Sequence, residues 1–262
     1  MSDLLLLVSM GAFAGTLAGL LGIGGGIIIV PVLALVFAHQ GVDPAVIMHV
    51  AIGTSLATIV TTSLSSIRAH QRRGAILWPV FALITPGILL GGFAGAAIAH
   101  HLSGEVLRYA FAVFMLLVAT QMALARPPKP HRRLPGRTGM LVAGGVIGTV
   151  SSLMGVGGGS MSVPFLAWCN VALRNAVATS AAIGLPIALS GTVGYVVSGW
   201  DAAARPPWSV GFVNLPAFLG IVVASTLFAP LGARLAHTID ERLLKRIFAG
   251  FLAILGLRML LG

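Results

Sequence analysis

The sequence predicts an all-α polytopic membrane protein with a two-fold internal repeat, each copy a glycine-broken, re-entrant helical hairpin plus three transmembrane helices. Three observations lead there: the composition, the length of the apolar blocks, and two glycine clusters that recur with their surroundings. Of 262 residues, 57% are hydrophobic and 8% charged, and the mean hydropathy is +1.01. A soluble domain this apolar lacks the polar surface to stay dispersed in water. Blocks of about 20 residues match what a helix needs to cross a hydrocarbon core about 30 Å thick. The strict alternation of a membrane β-barrel is not seen.

In chain order, the first block, 4–38, is too long for one crossing and is interrupted by Gly22-Ile23-Gly24-Gly25-Gly26. Glycines at this density oppose continuous helix, because each admits torsions closed to other residues. The block has no basic stretch before it and no small-residue cleavage pattern, so it reads as mature structure and not as a signal peptide. Crossings are expected at 45–67, opened by the cap Asp43 and first-turn Pro44, and then at 75–99 and 106–125. A basic, proline-rich linker follows at 126–138. Block 139–169 repeats the interruption as Gly155-Val156-Gly157-Gly158-Gly159, and crossings at 176–199, 210–233 and 243–261 complete the chain. Trp78, Trp168, Trp200 and Trp208 fall near block ends, where amphipathic rings favour the membrane interface. The division is therefore 1–125, linker 126–138 and 139–262, within one integrated membrane domain.

The repeat is visible residue by residue. Gly11, Gly15, Thr16, the first cluster and Pro31 match Gly144, Gly148, Thr149, the second cluster and Pro164 at a constant offset. Gly53-Thr54-Ser55 matches Ala178-Thr179-Ser180, and Gly95, Ala99-His100 and Phe111 match Gly232, Ala236-His237 and Phe248. Basic residues arbitrate the topology. With the linker cytoplasmic and both broken blocks re-entrant, only Arg108, Arg205 and Arg258 lie on the opposite face. With eight simple crossings the bias is weaker. Three crossings per copy make the copies inverted. The net charge of +10 sits in these short loops, which argues against nucleic acid as a partner.

The acidic residues Asp3, Asp43, Glu105, Asp201, Asp240 and Glu241 all fall at block ends or in loops. A carboxylate proton relay or cation cage at membrane depth is thus not expected, and a site built from neutral donors and helix ends suits an anion. A broken helix exposes backbone N–H groups and the positive end of its dipole, and both favour negative charge. The candidate binding residues are Gly24, Gly25 and Gly26 in the first cluster, and Gly157, Gly158, Gly159 and Ser160 in the second. Thr54, Ser55, Thr179 and Ser180 recur between the copies and join them. Close helix packing is the competing reading of the glycines, and back-bonding to carbonyls that of most hydroxyls. Residues 54, 58, 61, 62 and 65 of the 45–67 helix share one face at helical spacing. Asn214 and Tyr195 are weaker candidates. No catalytic residue, metal set or cofactor motif is expected: the histidines lack partners at ligand spacing, and Cys169 stands alone. No glycine run ends in Lys-Ser/Thr, as a phosphate loop would.

With these residues in view, the chain resembles the TauE/SafE family of membrane transporters. The resemblance rests on Gly15 to Gly26 with Pro31, on Gly148 to Gly159 with Pro164, on Ala178-Thr179-Ser180 and on the two-copy organisation. It implies secondary transport of sulfur-containing anions such as sulfite, sulfonates or sulfoacetate-like compounds, across a bacterial inner membrane and without enzymatic activity. The expected partners are a small anionic solute and the lipid bilayer, with a homodimer left open. An anion channel and a non-transporting membrane subunit are the alternatives.

Overall fold

In a computed structural model, residues 26–124, 133–236 and 241–261 are described. They form nine helices: α1 Gly26–His39, α2 Pro44–Gln71, α3 Trp78–His101, α4 Gly104–Leu124, α5 Arg137–Met154, α6 Gly159–Trp168, α7 Leu173–Ser198, α8 Leu215–Ala236 and α9 Glu241–Leu261. Four of them, α2, α3, α4 and α7, are long and apolar enough to cross a membrane. The chain is a multi-pass helical membrane protein. Gly22 to Gly25 and most of the linker lie outside the described residues. The second glycine cluster breaks its helix as expected, separating α5 from α6.

Local sequence explains the helix ends. The Asp43 carboxylate accepts the Ala45 N–H at 2.9 Å, with Pro44 in the first turn of α2, satisfying a donor that would otherwise be orphaned. The block expected at 210–233 begins five residues late, because Ser209–Val210 and Val213–Asn214 pair as a small antiparallel hairpin. Gly211 turns it with φ +57°, and Asn214 then caps α8 by accepting the Ala217 N–H at 3.0 Å. All four tryptophans are exposed, as interfacial rings would be.

Glycine sets the closest helix contacts. Gly87, Gly91 and Gly95 of α3 seat against the backbone carbonyls of Leu141, Gly145 and Thr149, while Gly144 and Gly148 of α5 seat against those of Ile84 and Ile88. In lipid, where apolar burial does not drive association, such small-residue seams let backbones approach and pack. The order of these contacts shows that α3 and α5 run in the same direction. The α7 helix also runs with α3, since Gly92 faces Ser190 and Gly194 faces Ala96. Against α2 it runs in the opposite sense: Gly53 lies by Tyr195, Gly191 by Leu56 and Gly184 by Ser63. His49 ties α2 to α3 by donating from Nε2 to the Ala99 carbonyl at 3.0 Å, and its ring lies against Phe212 at 5.1 Å.

Candidate functional site

The break at Gly155 is a built turn. Gly155 takes φ +66°, its N–H reaches the Ser152 carbonyl, and the Val156 N–H reaches that of Ser151 at 2.9 Å. This is the Schellman arrangement, which satisfies the carbonyl end of α5 and needs a left-handed residue that glycine adopts without strain. The amide end of α6 is treated differently. Gly158 caps it without a side-chain bond, and the N–H groups of Gly157, Gly158, Gly159, Ser160 and Met161 have no acceptor among the described residues. Gly157 and Gly158 are buried and Gly159 to Met161 half-buried, so unpaired donors here are costly and mark a place where a negative group is welcome.

Buried hydroxyls stand nearby: among the described residues, the oxygens of Ser162 on α6 and Ser180 on α7 have no hydrogen-bond partner, nor do those of Ser151 and Ser152 on α5, where Ser152 lies against Gly95 and Gly191. A Cβ at Gly158 would lie 2.6 Å from the Ser180 carbonyl oxygen, so α7 passes directly beside the start of α6. From α2, the Ser55 hydroxyl donates to the Gly155 carbonyl at 2.8 Å. Ile59, one turn on, is the nearest neighbour of Gly157, and Ser63 faces Gly184. The first cluster is represented by Gly26, where a Cβ would stand 2.6 Å from the Gly155 oxygen and 3.0 Å from Val156 Cα. Gly26, Ser55, Gly157, Gly158, Gly159 and Ser180 are thus gathered at one crossing of α1, α2, α6 and α7. Ser160 is half-buried, its hydroxyl 3.5 Å from the Gly157 oxygen. Gly24 and Gly25 lie outside the described residues.

Thr54 and Thr179 have another arrangement. Both are fully buried; Thr54 accepts the Asn214 N–H at 2.9 Å and Thr179 accepts the Leu77 N–H at 3.0 Å. Each threonine therefore holds the residue that precedes a helix of the opposite half of the chain. Replacing either by valine keeps the shape and leaves unpaired the buried Asn214 N–H or the half-buried Leu77 N–H, a cost of about 1–3 kcal/mol. Thermal unfolding in detergent is expected to show Tm falling by roughly 2–12 °C for Thr54→Val and for Thr179→Val alike. Thr120→Val, at an exposed position on α4, serves as the unchanged control, and a silent Thr54→Val would contradict the clamp.

The face of α2 that meets the break runs through residues 55, 59 and 63, not through the hydroxyl-rich face at 54, 58, 61, 62 and 65. Thr58, Thr61 and Thr62 donate to carbonyls of their own helix. Asn214 is engaged by the hairpin and the α8 cap, and Tyr195 is buried with its hydroxyl unpartnered among the described residues. Sequence reasoning passed over Ser151 and Ser152; their position beside the glycine cluster was the available sign. Among the described residues no three metal-ligating side chains gather.

The family model for the sulfite exporter TauE/SafE matches residues 7–259, nearly the whole chain. The chain belongs to the TauE/SafE family. It is 35% identical over 259 residues to a probable membrane transporter protein of Haemophilus influenzae, covering 98% of each chain. A probable membrane transporter protein of Methanocaldococcus jannaschii is 28% identical over 260 residues, with 98% of this chain and 95% of its own covered. The YunE probable membrane transporter protein of Bacillus subtilis is 28% identical over 276 residues, with 97% and 96% covered. No solved structure matches this TauE/SafE chain.

Proposed function

We propose that this TauE/SafE protein is a secondary transporter of small sulfur-containing anions, working by alternating access across a bacterial inner membrane. The observation that carries the reading is the uncapped amide end of α6, set among buried unpartnered serines where no Asp or Glu is buried among the described residues. An oxyanion such as sulfite offers several acceptor oxygens and no donor requirement, which complements an array of N–H and O–H groups. Gly157 to Ser160, with Ser162 and Ser180, supply donors from one side. Gly26 brings the start of α1 against the other side, and Ser55 fixes the turn by donating to the Gly155 carbonyl. Thr54 and Thr179 hold the halves together at two levels.

The broken block 139–169 is a re-entrant hairpin in this proposal. Because α3, α5 and α7 share one direction, α5 and α7 start from the same face, and the α5–α6 block returns to the face it left. The reciprocal threonine clamps support two inverted copies, since Thr54 and Thr179 correspond in the repeat, as do Leu77 and Asn214. Rocking of one copy against the other then alternates access.

Proteoliposomes loaded with labelled sulfite test the function. Saturable flux with counterflow exchange is expected; absence of flux for sulfite, sulfonates and sulfoacetate alike removes the substrate claim, and unsaturable flux without exchange identifies a channel. With Cys169 replaced, a cysteine at 203 is expected to label from the outside and one at 240 from the cytoplasmic side. The reverse assignment, which eight simple crossings require, overturns the inverted topology.

A further inference from the structure

We infer that the chain carries a binding site for a phospholipid with an anionic headgroup, separate from the glycine crossing. A cavity of about 540 Å³ opens between α1 and α2 on one side and α4 and α9 on the other. Its walls are apolar, from Pro31, Ala34, Met48 and Leu255, and its rim carries Glu105, Arg108 and Arg258. The rim lies where α2 and α4 begin and where α1 and α9 end, so four helix ends place it at interface depth. From Ala38 down to Pro31 the α1 wall descends about 10 Å at the helical rise of 1.5 Å per residue.

The chemistry fits one class of occupant. Arg108 rests on the Tyr109 ring with its guanidinium carbon 5.1 Å from the centroid, and neither Arg108 nor Arg258 has an ion pair among the described residues. Two guanidiniums with donors to spare favour a phosphate. The wall below them offers nothing to a small hydrophilic anion, yet accepts an acyl chain. A molecule combining both features is a membrane phospholipid, and basic pockets between transmembrane helices are suited to anionic headgroups. One exposed carboxylate, Glu105, leaves the rim net positive.

The test uses full-length protein, delipidated in detergent, and titrates phosphatidylglycerol or phosphatidylcholine while thermal stability and native mass spectra are recorded. Phosphatidylglycerol is expected to bind and stabilise, and the Arg108→Gln/Arg258→Gln double variant to weaken it about thirty-fold, from roughly one headgroup contact per arginine. Ala34→Leu, which fills the wall and keeps the charges, is expected to weaken both lipids. Equal binding of phosphatidylcholine, or indifference of phosphatidylglycerol to the double variant, overturns the inference. Stabilisation by inorganic phosphate or sulfite alone, lost in the double variant, would make the rim a solute site and overturns it too. Because the readout is lipid binding, its failure leaves the sulfite flux experiment untouched.

Discussion

Gly91→Leu is expected to abolish the folded protein. Gly91 sits on α3 with the Gly145 carbonyl against the position its side chain would occupy, and with the Thr149 N–H 2.9 Å from that position. The obstacles are backbone atoms of a facing helix, which cannot rotate aside as a side chain can. Accommodating leucine means prising α3 from α5 along the whole seam, since Gly87, Gly95, Gly144 and Gly148 depend on the same approach. Overpacking of ordinary cores costs about 1–3 kcal/mol, and rigid backbone on both sides puts this case at roughly 3 kcal/mol or more. Against a total stability of about 5–15 kcal/mol, size-exclusion chromatography should show most of the protein aggregated, with Tm of the remainder lowered by about 6 °C or more. Ala94→Leu places the same side chain on the exposed face of α3 and should behave as wild type. A monodisperse Gly91→Leu protein of unchanged Tm would show that the seam does not hold α3 to α5.

That seam also shows where sequence reasoning stops. Gly87, Gly91 and Gly95 stand at four-residue spacing in plain view, but they lie in a block already explained as a crossing. The glycine clusters at 22–26 and 155–159 broke the expected pattern and so drew attention. The Asp43-Pro44 start of α2 was legible because capping chemistry is local. The late start of α8 was not, because strands of two residues leave no periodicity, although Asn214 before Leu215-Pro216 was a usable cap sign.

The candidate site divides in the same way. The position of the second helix break could be read from glycine content, since the need for φ > 0 is a property of single residues. Which face of α2 meets it could not. Hydroxyls gather at 54, 58 and 61, but serine and threonine bond to their own helix as readily as to a neighbour, as Thr58 and Thr61 do, so abundance does not report surroundings. Thr54 and Thr179 illustrate the limit: their recurrence between halves was visible, yet recurrence served a paired structural clamp as well as it would a ligand shell. What distinguishes the two is which backbone N–H arrives opposite, and that is decided by tertiary packing alone.

The sharpest functional expectation concerns Gly155. Its left-handed backbone, φ +66°, costs about 1–2 kcal/mol for an L-residue. A Cβ there would also stand 2.9 Å from Val30 Cγ2 and 3.1 Å from Ile52 Cα, so α1 and α2 both resist it. Gly155→Val is therefore expected to pull the turn out of its left-handed geometry, to displace the carbonyl that Ser55 holds, and to tilt the amide end of α6 away from its neighbours. Sulfite flux in proteoliposomes should fall more than ten-fold, because donors aimed at one point lose their convergence when shifted by about 1 Å. Backbone strain needs its own control, and Gly41 provides it. Gly41 has φ +73° with nothing within 4 Å of a Cβ, so Gly41→Val carries the strain without the collision and should lower Tm modestly while leaving flux intact. If Gly155→Val and Gly41→Val transport equally well, the break between α5 and α6 is scaffold, and the anion must bind elsewhere.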